Sequence, residues 1–222
     1  MITTKETTTY VSFILGMSLL LIVTGIPTAF AGGTKDTSTL KGTVYASTED
    51  GRKPVSGALV FIEGIQPELE PKRNSLIDQV NQTFEPHVLP VRTGRKVEFK
   101  NSEMTLHNVR LVRPKNGEQL MNKVTYSNTK VSYTFEKAGV VEVRCDVHPS
   151  MLAYAIELDS PFLKVRTGEK GDFNLHISAK LEGEFTVRSW TENHGFSAPK
   201  QVNFDGDTQN VELVFSGDEK SK

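Results

Sequence analysis

Along most of this chain hydrophobic and polar residues alternate in short runs, and Gly, Pro, Asn and Asp separate one run from the next. In V-V-E-V-R-C, Val141, Val143 and Cys145 share one side of an extended strand while Glu142 and Arg144 take the other, because strand side chains alternate with a period of two. T-L-H-N-V-R-L repeats the arrangement: His107, Val109 and Leu111 share a face, with Asn108 and Arg110 opposite. Comparable runs predict strands at 40–46, 58–63, 162–166, 171–177, 183–190 and 211–215. The abundance of Val, Thr and Phe in these runs predicts an all-β chain, and no segment carries a convincing helical pattern.

The turn-rich stretch E-D-G-R-K-P-V-S-G joins 40–46 to 58–63 and predicts that these two strands form a hairpin. An isolated hairpin is marginal in water, so it needs partners, and the runs after residue 161 can supply them. Residues 65–74, with Pro67, Pro71 and alternating charges, read as one linker, and Asp159-Ser160-Pro161 as another. Residues 32–38, rich in Gly, Thr and Ser, read as a flexible leader.

At the N-terminus, Lys5 precedes the apolar run 11–26, and Ala29-Phe30-Ala31 places small residues where a signal peptidase reads them. Residues 1–31 are therefore expected to be a cleavable signal peptide, cut after Ala31, with export the outcome. Because Glu6 offsets Lys5, an uncleaved membrane anchor is the alternative. The whole chain has 26 basic and 27 acidic residues, a formal charge of -1, so no field of one sign argues for nucleic acid or anionic lipid.

The chemistry concentrates in C-D-V-H-P-S-M. Cys145, the only cysteine, is followed by His148 and then Met151 at spacings of three. Taken singly, each residue reads as readily as core packing, and a lone buried Cys is commonly a small hydrophobe. Together, thiolate, imidazole and thioether suit a mononuclear copper ion that cycles between two oxidation states, and such a site needs a second histidine. His107 is the natural candidate, since it points the same way as its apolar neighbours, as Cys145 does. An odd cysteine in an exported protein also lacks an internal disulfide partner.

The run F-E-P-H-V-L-P-V-R-T-G-R-K-V-E-F-K-N, then H-N-V, then C-D-V-H-P-S-M, resembles the cupredoxin family of small blue-copper proteins. The short ligand loop is most similar to that of amicyanin, with plastocyanin and pseudoazurin as wider relatives. The resemblance implies a Greek-key β-sandwich over 75–158, holding one type 1 copper ion by His107, Cys145, His148 and, axially, Met151. It also implies that Asn108 braces the ligand loop by hydrogen bonds, and that an exported protein of this kind is periplasmic. The segments G-T-V-Y and P-V-S-G-A-L-V-F-I-E-G, taken with V-R-T-G-E-K-G-D-F-N-L and G-E-F-T-V-R-S-W, resemble a carboxypeptidase regulatory-like or transthyretin-like β-sandwich. That resemblance implies a second domain built from 38–64 plus 161–216, with the copper domain inserted into it; the simpler arrangement is domains in series.

The implied function is single-electron transfer between redox protein partners. The alternative is copper binding for trafficking, although Met104, Met121 and Met151 are scattered rather than clustered. In C-T-P-H-type loops of the family, proline precedes the second histidine. Here Val147 stands there, and its N–H is expected to donate to the Cys145 sulfur. Pro149, Met151 and Leu152 are expected to form an apolar docking rim. Arg144 and Asp146, not histidine, flank the thiolate; five histidines, two of them already used, are too few for a separate trinuclear cluster, and one cysteine cannot supply the two bridging thiolates of a dinuclear centre, so no catalysis and no small-molecule substrate are expected. His87 and Met104 are the remaining candidates to approach the site, with a structural or surface role the simpler reading; His176 and His194 are too remote in sequence to join to it.

Overall fold

A computed structural model of the protein describes residues 37–64, 75–159 and 164–216. The segment expected to be a signal peptide (1–31), residues 32–36 of the expected leader, the expected linker 65–74 and Ser160-Pro161 of the other lie outside the described residues. No helix among the described residues is long and apolar enough to cross a membrane.

Every regular element among the described residues is a strand. The chain opens with β1 (Ser38–Thr48), β2 (Gly51–Pro54) and β3 (Leu59–Ile62). There follow β4 (Ser75–Val80), β5 (Thr83–Glu85), β6 (Val88–Arg92), β7 (Lys96–Asn101) and β8 (His107–Arg113). Next come β9 (Glu118–Thr125), β10 (Lys130–Thr134), β11 (Gly139–Arg144) and β12 (Leu152–Leu158). The last are β13 (Lys164–Arg166), β14 (Asp172–Ile177), β15 (Glu182–Thr191), β16 (Gly195–Phe196), β17 (Lys200–Asp205) and β18 (Thr208–Phe215).

Strands β4 to β12 make two sheets, in the orders β10-β7-β4-β5 and β6-β12-β11-β8-β9. Their inner faces share one core that includes Phe99, Phe135, Leu111, Val141, Val143, Cys145 and Met151. The pairs β4–β7 and β6–β12 are parallel and the others antiparallel, so this is a mixed sandwich rather than a string of hairpins.

The remaining strands make a second pair of sheets, β14-β1-β18 with β2 against β1, and β13-β3-β15-β16 with β17 against β15. Strands from both ends of the chain thus close around one core containing Leu40, Val44, Ile62, Leu175, Leu213 and Phe215. Gly42 lets β1 and β18 run this close. A Cβ there would lie 1.9 Å from the Val211 carbonyl oxygen, well inside van der Waals contact.

The expected hairpin of 40–46 with 58–63 does not form. β1 turns back on β2, and β3 crosses to the other sheet to pair with β13 and β15. The reason is burial: all four residues of β3 are enclosed, which a two-stranded ribbon open on one face cannot provide. Ser38, expected in the leader, already belongs to β1 and accepts the Leu181 N–H at 2.8 Å on its side-chain oxygen. In the second sandwich, β2, β16 and β17 have no counterpart among the expected strands; they are short or largely exposed and polar.

A third apolar cluster joins the two sandwiches. β12 reads L-A-Y-A-I-E-L and is buried along nearly its whole length. Ala153 and Ala155 point into the first core, whereas Tyr154, Ile156 and Leu158 pack with Leu59, Phe61 and Trp190. Small residues inside and large ones outside follow from a strand covered on both faces.

Candidate metal centre

β8 and β11 are antiparallel neighbours, with Val143 opposite Leu111 and Arg144 opposite Arg110. This pairing brings the start of β8 beside the end of β11. His107 is fully buried, Cys145 is 3 % exposed, and His148 is half-buried. The alternation holds here: Val141, Val143, Val109 and Leu111 on the same faces are all at 0 %.

The two imidazoles approach through their Nδ1 atoms, 3.0 Å apart, and Cys145 Sγ lies 3.9 Å from His107 Nδ1 and 4.0 Å from His148 Nδ1. A point equidistant from these three atoms is about 2.1 Å from each, against first-row metal bonds of ~2.0 Å to imidazole nitrogen and ~2.3 Å to thiolate. The three donors are therefore spaced so that one metal ion could bond all of them at once. Among the described residues no other group of three or more His, Cys, Asp or Glu side chains is arranged to hold an ion. Met151 is 1 % exposed and belongs to the same core cluster as Cys145, and its N–H donates to the His148 carbonyl at 2.9 Å, closing the loop into a turn.

The His107 ring and the strand end that carries Cys145 are held from behind. His107 Nε2 meets the Glu103 carboxylate at 2.5 Å, which leaves Nδ1 free to face the other donors. The Gln82 backbone N–H and the His107 ring hold the Glu103 carboxyl below the usual carboxylate range against the opposing effect of burial. Buried Asn101 fixes that loop: its Nδ2 donates to the Thr105 and Thr125 carbonyls, and its Oδ1 accepts the Glu103 N–H.

On the other face of β8, Asn108 Oδ1 accepts the Asp146 N–H at 2.5 Å, while its Nδ2 donates to Asn122 Oδ1 at 2.8 Å and Asp146 Oδ2 at 3.1 Å. Asn122 Nδ2 also reaches Asp146 Oδ2 at 3.0 Å, and Arg110 pairs with the same carboxylate at 2.8 Å. The residue after Cys145 is thereby tied to two strands.

Among the described residues no hydrogen bond joins the Val147 N–H to Cys145 Sγ; the loop amide that is engaged is that of Asp146, one residue nearer the strand. The docking rim also changes membership. Met151 is interior and Leu152 half-buried, whereas Pro149 is exposed as expected and Met104, Leu106 and Val147 are further exposed apolar residues on the two donor-bearing loops. His87 does not join the donors: its ring nitrogens meet the Leu152 carbonyl at 3.0 Å and Glu192 at 2.9 Å. Met104 is 88 % exposed, with the Ser127 hydroxyl 3.4 Å from its sulfur. His176 is exposed on β14, and His194 stacks on Phe215 in the second sandwich.

Glu103, Asn101, Asn122 and Asp146 were missed in the sequence. Asn122 and Asp146 had a usable signal, since Asn108 and Arg110 form a polar face that must find partners across the strand. Glu103 had none, because the S-E-M-T-L loop has no regular period.

No protein-family model matches this chain, and no curated protein matches it. Among solved structures, a reduced amicyanin variant aligns with 44 % of this chain and 97 % of its own length, at 25 % identity and a TM-score of 0.36. A purple cupredoxin from Nitrosopumilus maritimus covers 38 % of this chain and 99 % of its own, at 20 % identity and a TM-score of 0.35. A copper-containing nitrite reductase from Thermus scotoductus SA-01 covers 41 % of this chain but 24 % of its own, at 23 % identity and a TM-score of 0.37.

Proposed function

We propose that this is an exported, periplasmic electron carrier with one type 1 copper ion, held by His107, Cys145 and His148 with Met151 as the weak axial ligand. The carrying observation is the triangle of Nδ1, Nδ1 and Sγ, whose size matches three metal bonds made at once. Zinc structural sites are four-coordinate and tetrahedral, whereas two imidazoles and a thiolate with a buried thioether in the same core cluster favour copper.

When bound, copper supplies a one-electron couple. The chain's own contribution is to keep the donors still. Glu103 orients the His107 ring, Asn108 anchors the residue after Cys145, and the Met151 N–H closes the loop onto His148. A donor set that cannot relax between oxidation states keeps the reorganisation accompanying transfer small. His148, the half-buried donor, is the exit toward a partner protein, and Met104, Leu106 and Val147 on the same loops give a small apolar docking face of the kind transient redox contacts use. In this reading 75–158 is a cupredoxin domain inserted in a transthyretin-like sandwich made of 38–64 and 161–216, and the protein is a carrier rather than an enzyme.

The test is metal content with a visible spectrum of the full chain before and after Cys145→Ser. One copper per chain and an intense thiolate-to-copper band near ~600 nm, lost in the variant, are expected. A colourless protein holding only Cu(I) would favour trafficking, and a chain that takes up no copper would overturn both readings.

A further inference from the structure

We propose that Glu192, a residue of the second sandwich, is a positioning residue for the candidate metal centre, acting through His87 and Tyr154 on the segment that follows Met151. The inference rests on the copper reading above. It gives the second sandwich a role: a clamp on the ligand loop of the first.

Glu192 follows β15 directly, and its carboxylate spans both sandwiches. One oxygen meets His87 Nε2 at 2.9 Å and the other accepts the Tyr154 hydroxyl at 2.9 Å. His87 Nδ1 faces the Leu152 carbonyl at 3.0 Å. Leu152 is the residue after Met151, so the chain of contacts from the second sandwich ends one peptide from the axial ligand.

The ladder explains why a side chain is needed there. β6 begins at Val88 and pairs with β12 only from Tyr154 onward, with the Tyr154 N–H donating to the His87 carbonyl at 2.8 Å. Leu152 lies beyond the end of that pairing, and a carbonyl at a strand end left without a donor costs stability. The His87 ring takes the place of the missing backbone donor. Its two nitrogens lie between the Leu152 carbonyl and the Glu192 carboxylate, and its edge packs against Tyr154 at 5.6 Å. Tyr154 is seated in turn against Trp190 of β15, 5.3 Å away. Removing the Glu192 carboxylate frees one end of His87 and strands the buried Tyr154 hydroxyl, loosening the Leu152 carbonyl and with it Met151.

The experiment compares wild type, Glu192→Ala and Glu192→Gln as full chains with methionine methyl groups labelled by carbon-13. In the metal-free protein the Met151 methyl resonance is expected to shift or broaden in Glu192→Ala, with Met104 and Met121 unmoved. In the copper-loaded protein the copper dissociation constant is expected to rise about three- to tenfold, below the 10- to 100-fold typical of groups bonded directly to a ligand, and the intensity ratio of the visible bands to change. Glu192→Gln, which keeps an acceptor but loses the charge, falls between. A folded Glu192→Ala protein with an unchanged Met151 resonance and unchanged copper affinity would overturn the proposal. If that variant does not fold, Tyr154→Phe carries the test, since it keeps the ring against Trp190 and drops only the bond to Glu192; a smaller shift in the same direction supports the clamp, and none refutes it. A wild type that binds no copper would sink the electron-carrier reading while leaving the metal-free Met151 measurement to decide the clamp.

Discussion

Asn108→Ala removes the side chain that ties β8 to the residue after Cys145. Three hydrogen bonds go with it, one from the Asp146 N–H and two to the carboxamide or carboxylate oxygens of Asn122 and Asp146. Each such bond is worth about 1 kcal/mol net, and a donor left without its acceptor costs about 1–3 kcal/mol where water cannot replace it. Asn108 is 4 % exposed, but Asp146 is exposed and Asn122 can still bond it, so part of the loss is recovered. The expected destabilisation is about 3 kcal/mol, which for a chain of this size lowers the thermal midpoint by roughly 6 to 12 °C. Thermal unfolding of the metal-free protein followed by circular dichroism measures this without any contribution from metal. Asn108→Asp should recover little: it keeps an acceptor for the Asp146 N–H but sets a second carboxylate beside that of Asp146. An Asn108→Ala midpoint within about 1 °C of wild type would mean the network carries no stability, and the account of how the loop is held would be wrong.

Further outcomes follow from the same contacts. Glu103→Gln keeps a hydrogen-bond acceptor on His107 but removes its charge, which weakens electron donation by the ring; voltammetry should find a reduction potential higher by about 40 mV, the equivalent of ~1 kcal/mol between a charged and a neutral acceptor. Gly42→Ala drives a methyl group into the Val211 carbonyl, so the parallel β1–β18 pairing must open, and urea denaturation should register a loss of at least about 3 kcal/mol. Burial would raise the Glu192 carboxyl, but its bonds from His87 and Tyr154 hold it below the usual range. The folded chain therefore takes up this proton at lower pH than the unfolded chain. Its contribution to stability is complete above about pH 4.3 and falls away as pH drops through the lower folded value, so the acid limb of the stability curve of Glu192→Gln should be shallower than that of wild type.

The strands and the loop chemistry could be read from residue order because both are local. Period-two alternation shows which way Val141, Val143 and Cys145 face whatever lies beyond them, and Cys145, His148 and Met151 stand within seven consecutive positions, so their proximity needs no knowledge of the fold. Alternation says nothing about which strand lies alongside. The β8–β11 register, which carries His107 to Cys145, is a long-range pairing, as is the crossing of β3 away from β1 that undid the expected hairpin. The same limit hid Glu103, since a loop without a period does not reveal where its side chains turn. It also hid the seam: Tyr154 and Trp190 look like ordinary core aromatics until two sandwiches are packed together, because burial on a strand's second face is decided by a neighbour the strand itself does not encode.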